Sequence, residues 1–258
     1  MDNEIIKIFK CTKHKNNFYV YTSYQEKPFI CNEYLVTKYR LYKNKTFFPD
    51  EFDQILKELK TSNIYNKALN FVIRNKTEYE LVEYLNKLKN NYDDEFTDVD
   101  ILKLIEKFKS LGYIDDEKYT KEYIYYLSQN LKGPLYIRYK LDIKGVDTDI
   151  VNKCLEELDE VFYEPCKALA NNSLKKTFGY PVIKQQQVLN QDLTRAGFLT
   201  KHIDYALSDI KYSEPSIKIL EKEFNKLALK KYDNDKIIAS LIQKGFNYQD
   251  IITLINKK

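Results

Sequence analysis

The spacing of apolar residues changes once along the chain, near Pro49. Before it, EIIKIFKC (4–11) and NFYVYTSY (17–24) are rich in β-branched and aromatic residues and are separated by the polar stretch TKHKN. Two such segments predict a β-hairpin, and FICNEYLVTKYRL (29–41) predicts a further strand or a short helix. After Pro49 the apolar residues follow helical periodicity, which predicts helices for the rest of the chain.

The helical part contains a repeat that is marked by glycine. Three segments share a leucine four residues before a glycine, an apolar residue directly after it, and apolar residues six and ten positions beyond it. They are YKLDIKGVDTDIVNKCL (139–155), LNQDLTRAGFLTKHIDYAL (189–207) and IIASLIQKGFNYQDIITLI (237–255), and their glycines are Gly145, Gly197 and Gly245. A match at five defined positions in three places indicates internal repetition.

Glycine at these positions is typical of a helix end, because it adopts a left-handed backbone without the strain that a Cβ atom would add. Each segment is therefore predicted to be a helix, a glycine stop and a second helix. Asp147 and Thr200 are the predicted N-caps of the helices that follow Gly145 and Gly197.

Gly112 and the acidic pair after it follow the same logic. The segment DILKLIEKFKSL (100–111) carries an apolar stripe and is predicted to be a helix that Gly112 ends. We expect Ile114 to pack on that helix and Asp115 or Asp116 to cap the next one, where a helix dipole favours acidic residues. Paired carboxylates can also serve as metal ligands or as an acid–base pair. No histidine lies nearby in the sequence and no glycine-rich phosphate loop occurs, so we predict no catalysis, no metal and no cofactor.

An earlier and looser copy of the unit lies at 65–113. Thr77 and Glu80 have the spacing of a capping box, and Leu81, Leu85 and Leu88 share one face of the helix that follows. The glycine expected near position 89 is replaced by the polar insert NNYDDEFTD (90–98).

These patterns predict a mainly α protein, built of tandem three-helix-bundle repeats in an elongated, curved array with a small N-terminal β-hairpin region. We divide the chain into a β-rich extension (1–55), a first helical repeat (56–112), a second (113–160), a third (161–212) and a partial or fourth repeat (213–258).

The amino-acid composition agrees with a helical protein and indicates the cellular compartment. Six glycines and six prolines among 258 residues are few for a protein with many tight turns. The four cysteines are scattered without a C-x-x-C pair, which is typical of thiols in a reducing compartment. The chain shows neither a secretory signal pattern nor an apolar run of bilayer length, so we expect a cytoplasmic protein without membrane association. The net charge of +4 is mild and does not by itself require a polyanionic partner.

Two neighbouring motifs have a familiar combination. LGYIDDEKYTKEYI (111–124) is followed by KGPLYIRYKLDIKGVDTDIV (132–151), which places Gly133 four residues before Ile137 and Leu141 three residues before the Lys144–Gly145 pair. This combination resembles the RecX family, the bacterial regulators of the recombinase RecA. Upstream, KALNFVIRNKTEYELVEYLNKL (67–88) is similar to the first repeat of that family and supplies Arg74. The chain departs from the family pattern at Lys140, which is usually acidic, and at Leu135 and Tyr136, where basic residues are common.

The resemblance implies a non-enzymatic regulator in DNA repair and the SOS response. Such a protein would bind along the groove of the RecA filament on single-stranded DNA and inhibit or disassemble it, lowering ATP turnover and strand exchange. We expect a monomer. The alternative is a helical protein that binds DNA directly, since short helix–turn–helix units also occur in DNA readers. The mild net charge counts against tight, salt-tolerant duplex binding.

Two groups of basic residues are candidates for contact with the filament. The segment 167–201 combines six cations with the single Asp192 and interleaves Phe178 and Tyr180, a composition that suits single-stranded nucleic acid. A solvated basic face is the plainer interpretation. Its cations are Lys167, Lys175, Lys176, Lys184, Arg195 and Lys201.

The second group surrounds the short helix of the second repeat. It comprises Lys132, Tyr136, Arg138, Tyr139, Lys140 and Lys144, and burial of Ile137 and Leu141 would turn Arg138, Tyr139 and Lys144 outward. Arg74 is a third candidate, with a bridge to a carboxylate as its alternative role. Tyr119, Tyr123 and Tyr126 have helical spacing and are expected to be core or half-core residues rather than a stacking platform.

Overall fold

A computed structural model describes residues 5–15, 17–90, 96–230 and 232–256. These residues are mainly helical, with a small antiparallel sheet near the N-terminus. The predicted mainly α class with an N-terminal β region is therefore confirmed. The chain divides into two compact units, Met1–Asp115 and Asp116–Lys258. The curved array and the four-repeat division with its boundaries stay predictions.

The first unit contains four strands and four helices within the described ranges. In chain order these are β1 (Ile6–His14), β2 (Asn17–Thr22), β3 (Phe29–Cys31), α1 (Glu33–Tyr39), β4 (Thr46–Phe47), α2 (Pro49–Val72), α3 (Glu78–Lys89) and α4 (Asp98–Ser110).

The second unit is helical throughout its described residues. Its elements are α5 (Asp116–Gln129), α6 (Pro134–Ile143), α7 (Thr148–Glu157), a 3-10 turn (Asp159–Phe162), α8 (Tyr163–Lys176), α9 (Val182–Arg195), α10 (Thr200–Ser208), α11 (Ile217–Ala228), α12 (Asn234–Gln243) and α13 (Tyr248–Asn256).

The N-terminal sheet confirms the predicted hairpin. β1 and β2 pair antiparallel, and the strand order is β3-β2-β1-β4. The segment 29–41 contains both predicted alternatives, because β3 is followed directly by α1. The pattern missed β4, since two residues are too few to show alternation, and its place is decided by pairing with Ile6 and Lys7 of β1.

Helix α2 belongs to two hydrophobic cores. Its first half packs with the sheet and its second half packs with α3 and α4. The predicted boundary between residues 55 and 56 therefore falls inside a continuous helix. The apolar residues of the first half are Phe52, Ile55 and Leu59, and those of the second are Ile64, Ala68 and Val72.

Local signals in the first unit agree with the predicted helix ends. Thr77 and Glu80 form both bonds of a capping box, which is confirmed. α4 carries a second capping box, between Thr97 and Asp100. After α4, Gly112 has a φ of 71°. Ile114 is buried as predicted, and α5 begins at Asp116, directly after Asp115.

Each predicted helix–glycine–helix segment is present in the second unit. Gly145, Gly197 and Gly245 all have positive φ and follow α6, α9 and α12. Asp147 caps α7 by accepting from the backbone N–H groups of Asp149 and Ile150, as predicted.

The predicted N-cap at Thr200 is wrong. In all three segments the cap lies two residues after the glycine, and in the third repeat that position is Leu199. Thr200 is already the first residue of α10, so its hydroxyl is one position too late to cap. The same rule identifies Asn247, whose side chain accepts from the N–H of Gln249 at 2.8 Å.

The helices of the second unit are grouped here in threes, and we call α5–α7 the second triplet, α8–α10 the third and α11–α13 the fourth. The second and third triplets meet backbone to backbone at two glycines. The N–H of Gly133 donates to the carbonyl of Ala196 at 2.8 Å, and the N–H of Leu135 donates to the carbonyl of Gly197 at 2.9 Å. A Cβ atom on Gly133 would overlap the backbone of Gly197, and one on Gly197 would lie 2.5 Å from the backbone nitrogen of Tyr136. The turn after α9 therefore docks on the start of α6, and only glycine allows this approach.

The next pair of triplets repeats this arrangement with looser contact. A Cβ atom on Gly245 would lie 3.1 Å from Cβ of Pro181 and 3.3 Å from Cδ1 of Ile183, at the start of α9. The turn after the second helix of one triplet thus lies against the start of the second helix of the preceding triplet. We call these two places the glycine junctions.

We predict that Gly197→Ala destabilises the second unit by about 2–5 kcal/mol. About 1–2 kcal/mol comes from its left-handed backbone, with a φ of 86°, and about 1–3 kcal/mol from overpacking against Tyr136. Urea unfolding followed by circular dichroism measures the loss. Gly112→Ala is the matched control, because it has a φ of 71° and no heavy atom within 4 Å of the added Cβ. Equal losses in the two variants would contradict the proposed junction.

His202 is a fully buried titratable side chain in the third triplet. Its Nε2 lies 3.1 Å from Oδ1 of Asp159, and its Nδ1 has no hydrogen-bond partner among the described residues. The neutral tautomer with the proton on Nε2 fits this environment, since it donates to Asp159. Burial lowers the pKa of His202, and this outweighs the attraction of the Asp159 carboxylate.

The folded state therefore takes up the His202 proton less readily than the unfolded chain. Stability contributed by this group is fully present above the unfolded pKa of about 6.5 and is lost as the pH falls from there through the lower folded pKa. We predict that the free energy of unfolding decreases on mild acidification, by at most about 1.4 kcal/mol per pH unit. His202→Phe should flatten this dependence, whereas His14→Phe, at an exposed histidine, should leave it. Identical pH profiles of the two variants would exclude His202 as the source.

Candidate nucleic-acid interface

A face of alternating tyrosines and lysines lies on α5 and α6. We call it the tyrosine–lysine face and define it by Tyr119, Tyr123, Lys132, Tyr136, Lys140 and Lys144. The ammonium groups of Lys132 and Lys140 lie 5.0 and 5.5 Å from the ring centroid of Tyr136. Lys144 lies 5.5 and 5.8 Å from the rings of Tyr119 and Tyr123. Cations are thus held against aromatic surface on both helices.

The expectation that the three tyrosines are core or half-core residues holds for Tyr119 and Tyr123 and is wrong for Tyr126, which is not among the residues that define this face. Tyr119 is buried, Tyr123 is half-buried, and Tyr126 is 62 % exposed. The rings of Tyr119 and Tyr123 stack at 5.7 Å with an interplanar angle of 18°. Burial raises the pKa of the Tyr123 hydroxyl, despite the nearby lysines. The face therefore carries aromatic rings beside positive charge, which suits both bases and phosphates.

A second basic surface surrounds a cleft of about 530 Å³ in the second unit. We call it the α9–α12 cleft, and its basic residues are Lys176, Lys184, Lys226 and Lys244. Tyr180, Pro181 and Phe246 contribute apolar surface to it. The predicted Lys176 and Lys184 meet here with two lysines that lie far away in the sequence.

One buried carboxylate organises the cleft. Glu223 is 9 % exposed and accepts from Lys226 at 2.6 Å and from Lys244 at 2.8 Å. Burial opposes its ionisation, but the hydrogen bonds from the two lysines outweigh burial and hold the pKa of Glu223 below its usual value. Glu223 thereby holds the ammonium groups of Lys226 and Lys244 at the cleft. Together the two lysines and the one carboxylate keep a net charge of +1.

The linker before α11 keeps the wall of the cleft in place. Gln185 is fully buried, and its amide donates to the carbonyls of Tyr180 and Ser213 at 2.6 Å each. The N–H of Ser213 donates back to the Gln185 side chain at 3.2 Å. These bonds satisfy a buried amide and tie α9 to the chain that leads into α11.

The basic residues of the predicted segment 167–201 fall into two groups, those that pair with a carboxylate and those that do not. Lys167 pairs with Asp209 at 3.3 Å, Lys201 with Asp159 at 2.7 Å, and Arg195 with Asp192 at 3.9 Å. Within the described ranges, Lys175, Lys176 and Lys184 have no carboxylate at ion-pairing distance, and all three are exposed. The part of the segment that retains positive charge is therefore the turn from α8 to α9.

The side chains predicted to project outward from α6 belong to two different surfaces. Ile137 and Leu141 are fully buried, as expected. Lys144 joins the tyrosine–lysine face, whereas Arg138 bonds to Asn152 on α7. Tyr139 is 60 % exposed and lines a separate shallow pocket of about 260 Å³ together with Arg138.

Arg74 lies apart from the other candidates along the chain. It is exposed in the turn after α2, in the first unit, whereas both groups of basic candidates are in the second unit. Within the described residues it has no carboxylate partner, so the alternative of a structural bridge finds no support there.

Sequence reasoning missed Lys226 and Lys244. Neither lies in a basic run, because Glu221 and Glu223 stand near Lys226 and the chain around Lys244 is apolar and polar. The repeat could have identified Lys244, because this lysine directly precedes Gly245 as the candidate Lys144 directly precedes Gly145.

No metal site or membrane helix is found within the described ranges. Their His, Cys, Asp and Glu side chains form no group of three or more that could hold a metal ion. None of their helices combines the length and apolarity needed to cross a bilayer. All four cysteines are free, and burial raises the pKa of Cys31 and Cys166 to about 12.

Comparison with known proteins gives a consistent result. No protein-family profile matches the chain. Regulatory protein RecX of Listeria monocytogenes is 29 % identical over 262 aligned positions, which cover 95 % of this chain and 93 % of that protein. Regulatory protein RecX of Streptococcus mutans is 28 % identical and covers 95 % and 97 % of the two chains. The resemblance to the RecX family is confirmed.

Solved RecX structures share the fold. The crystal structure of RecX from Lactobacillus salivarius superposes with a TM-score of 0.52 at 26 % identity, covering 58 % of this chain and 95 % of that one. A second crystal structure, of a regulatory protein RecX, gives a TM-score of 0.54 at 23 % identity and covers 79 % and 100 %. The similarity to RecX proteins therefore extends well beyond residues 60–160, on which the motifs rest.

We predict that Lys175→Glu with Lys176→Glu weakens binding to a single-stranded oligonucleotide. If both lysines contact phosphates, the slope of log affinity against log salt should decrease by about 1.4, at about 0.7 per contact. Fluorescence anisotropy over a salt series measures this slope. Lys218→Glu with Lys222→Glu is the control, since both lysines are exposed on α11 and outside the cleft lining. A slope equal to that of the control would remove Lys175 and Lys176 from the interface.

Proposed function

We propose that the protein is a non-enzymatic regulator of a RecA-type recombinase, which acts by binding the RecA filament on single-stranded DNA. The observation that carries this proposal is the similarity to proteins named regulatory protein RecX along 95 % of the chain. The motifs at 111–124 and 132–151 contribute to it, because they resemble the RecX family in combination.

The two basic surfaces support a partner that contains nucleic acid. The tyrosine–lysine face offers aromatic rings beside ammonium groups, and the α9–α12 cleft holds four lysines around one carboxylate. A filament presents both phosphates and acidic protein surface, and such a partner would engage dispersed lysines. The candidate contact residues are Arg74, Lys132, Arg138, Tyr139, Lys144, Lys175, Lys176, Lys184, Arg195 and Lys201.

We propose inhibition or disassembly of the filament as the mode of regulation. The candidates Arg195 and Lys201, like Lys167, lie beside carboxylates, so the interface carries a moderate net positive charge. Moderate charge suits a regulator that must leave the filament again, because affinity gained from phosphate contacts falls steeply with salt.

The decisive experiment is a titration of the protein into RecA during single-stranded-DNA-dependent ATP hydrolysis. We expect the hydrolysis rate to fall as the protein approaches a fixed ratio to RecA, and the Lys175→Glu, Lys176→Glu variant to require a higher concentration than the Lys218→Glu, Lys222→Glu control. An unchanged rate at stoichiometric protein contradicts the proposal. If the protein instead binds naked duplex tightly at physiological salt, direct DNA binding is the better function.

A further inference from the structure

A third basic concavity lies in the first unit, between α2 and α4. It has a volume of about 300 Å³, and we call it the α2–α4 cleft. Its rim carries Lys57 and Lys60 from α2, and Lys103 and Lys107 from α4. None of the candidate contact residues that the sequence predicted lies in it, so it is independent of the surfaces described above.

The floor of this cleft is apolar and firmly supported. Tyr65, Ile64 and Leu104 line it together with Phe96, which is buried. The ring of Tyr65 rests on buried Phe108, with centroids 5.4 Å apart. The Lys107 ammonium lies 4.4 Å from the centroid of the Tyr65 ring. Positive charge and aromatic surface are therefore adjacent at one point of the cleft.

The charge of the cleft is strongly unbalanced. Asp100 is its only acidic lining residue within the described ranges, and its carboxylate already accepts from the N–H and hydroxyl of Thr97 at 3.0 and 2.7 Å. These bonds hold the pKa of Asp100 below its usual value. Asp100 is thus committed to capping α4.

We infer that the α2–α4 cleft is a second contact site for single-stranded nucleic acid, in which lysines of the rim hold phosphates and the apolar floor receives a base. A volume near 300 Å³ lies at the small end of ligand sites and matches one nucleotide rather than a larger ligand. The ammonium beside Tyr65 would bind a phosphate while the floor stacks with the attached base. An acidic protein surface would pair with the rim but leave the apolar floor unfilled, so nucleic acid fits the cleft better.

This inference rests on the proposed function for its biological partner, but its test needs no recombinase. Lys103→Glu with Lys107→Glu removes the α4 rim, and Lys57→Glu with Lys60→Glu removes the α2 rim. Lys27→Glu with Lys43→Glu is the matched control in the same unit, because both lysines are exposed and outside the cleft lining. Anisotropy of a fluorescein-labelled oligodeoxythymidylate over a salt series gives affinity and slope, and circular dichroism checks that each variant melts as the parent does.

We expect each rim variant to bind at least about fivefold more weakly than the control at moderate salt, with a slope smaller by about 1.4 if two phosphate contacts are lost. The two rim variants test the same cleft from opposite sides. If one of them misfolds, the oligonucleotide affinity of the other still tests the inference. Equal binding by rim variants and control overturns the inference, as does a parent protein that fails to bind the oligonucleotide at low salt. If the rim variants keep oligonucleotide affinity but lose binding to DNA-free RecA, the cleft receives an acidic protein surface instead.

A failure of the proposed function is separable from a failure of this inference. The first appears as an unchanged ATPase rate with RecA, and the second as unchanged binding of the rim variants to naked oligonucleotide. A variant that combines Lys175→Glu and Lys176→Glu with one of the rim variants tests whether the two sites act independently. If they do, its loss of oligonucleotide affinity should be the product of the two separate fold-losses.

Discussion

The backbone contact between Gly133 and Gly197 is the constraint on which the second unit depends. Two hydrogen bonds, from Gly133 to Ala196 and from Leu135 to Gly197, join the start of α6 to the turn after α9. The same turn geometry recurs where Gly245 meets Pro181 and Ile183. At the first of these junctions backbone rather than side chain is in contact, so the spacing between the helices that meet there cannot adapt by rotamer changes. Even one added methyl group would have to displace a helix start.

The tyrosine–lysine face and the α9–α12 cleft lie at these glycine junctions. Tyr136, the centre of the tyrosine–lysine face, is the residue that a Cβ atom on Gly197 would strike. Pro181, Ile183 and Phe246, which line the α9–α12 cleft, belong to or adjoin the second junction. The junction that sets the spacing of two triplets therefore also sets where their lysines and aromatic rings stand. Substitutions at the glycines should disturb binding together with stability.

Carboxylates decide which lysines remain available for a partner. Lys201 and Lys167 are neutralised by Asp159 and Asp209, which lie outside the basic segment in the sequence. Glu223 has the opposite effect, since it orients Lys226 and Lys244 at a cleft without cancelling both charges. A count of charge along the chain, such as the excess in 167–201, cannot distinguish these outcomes. The pairing is a property of helix packing.

The sequence alone determined the helix ends, the N-terminal hairpin and the repeat, because capping, glycine stops and apolar periodicity are local and act within a few residues. The capping box at Thr77 and the left-handed turns at Gly112, Gly145, Gly197 and Gly245 follow from such local rules. Tertiary structure decided the rest. It shared α2 between two cores and brought Lys226 and Lys244 to Lys176 and Lys184. These features depend on which distant residues meet when helices pack, and that information is not contained in the spacing of residues along one helix.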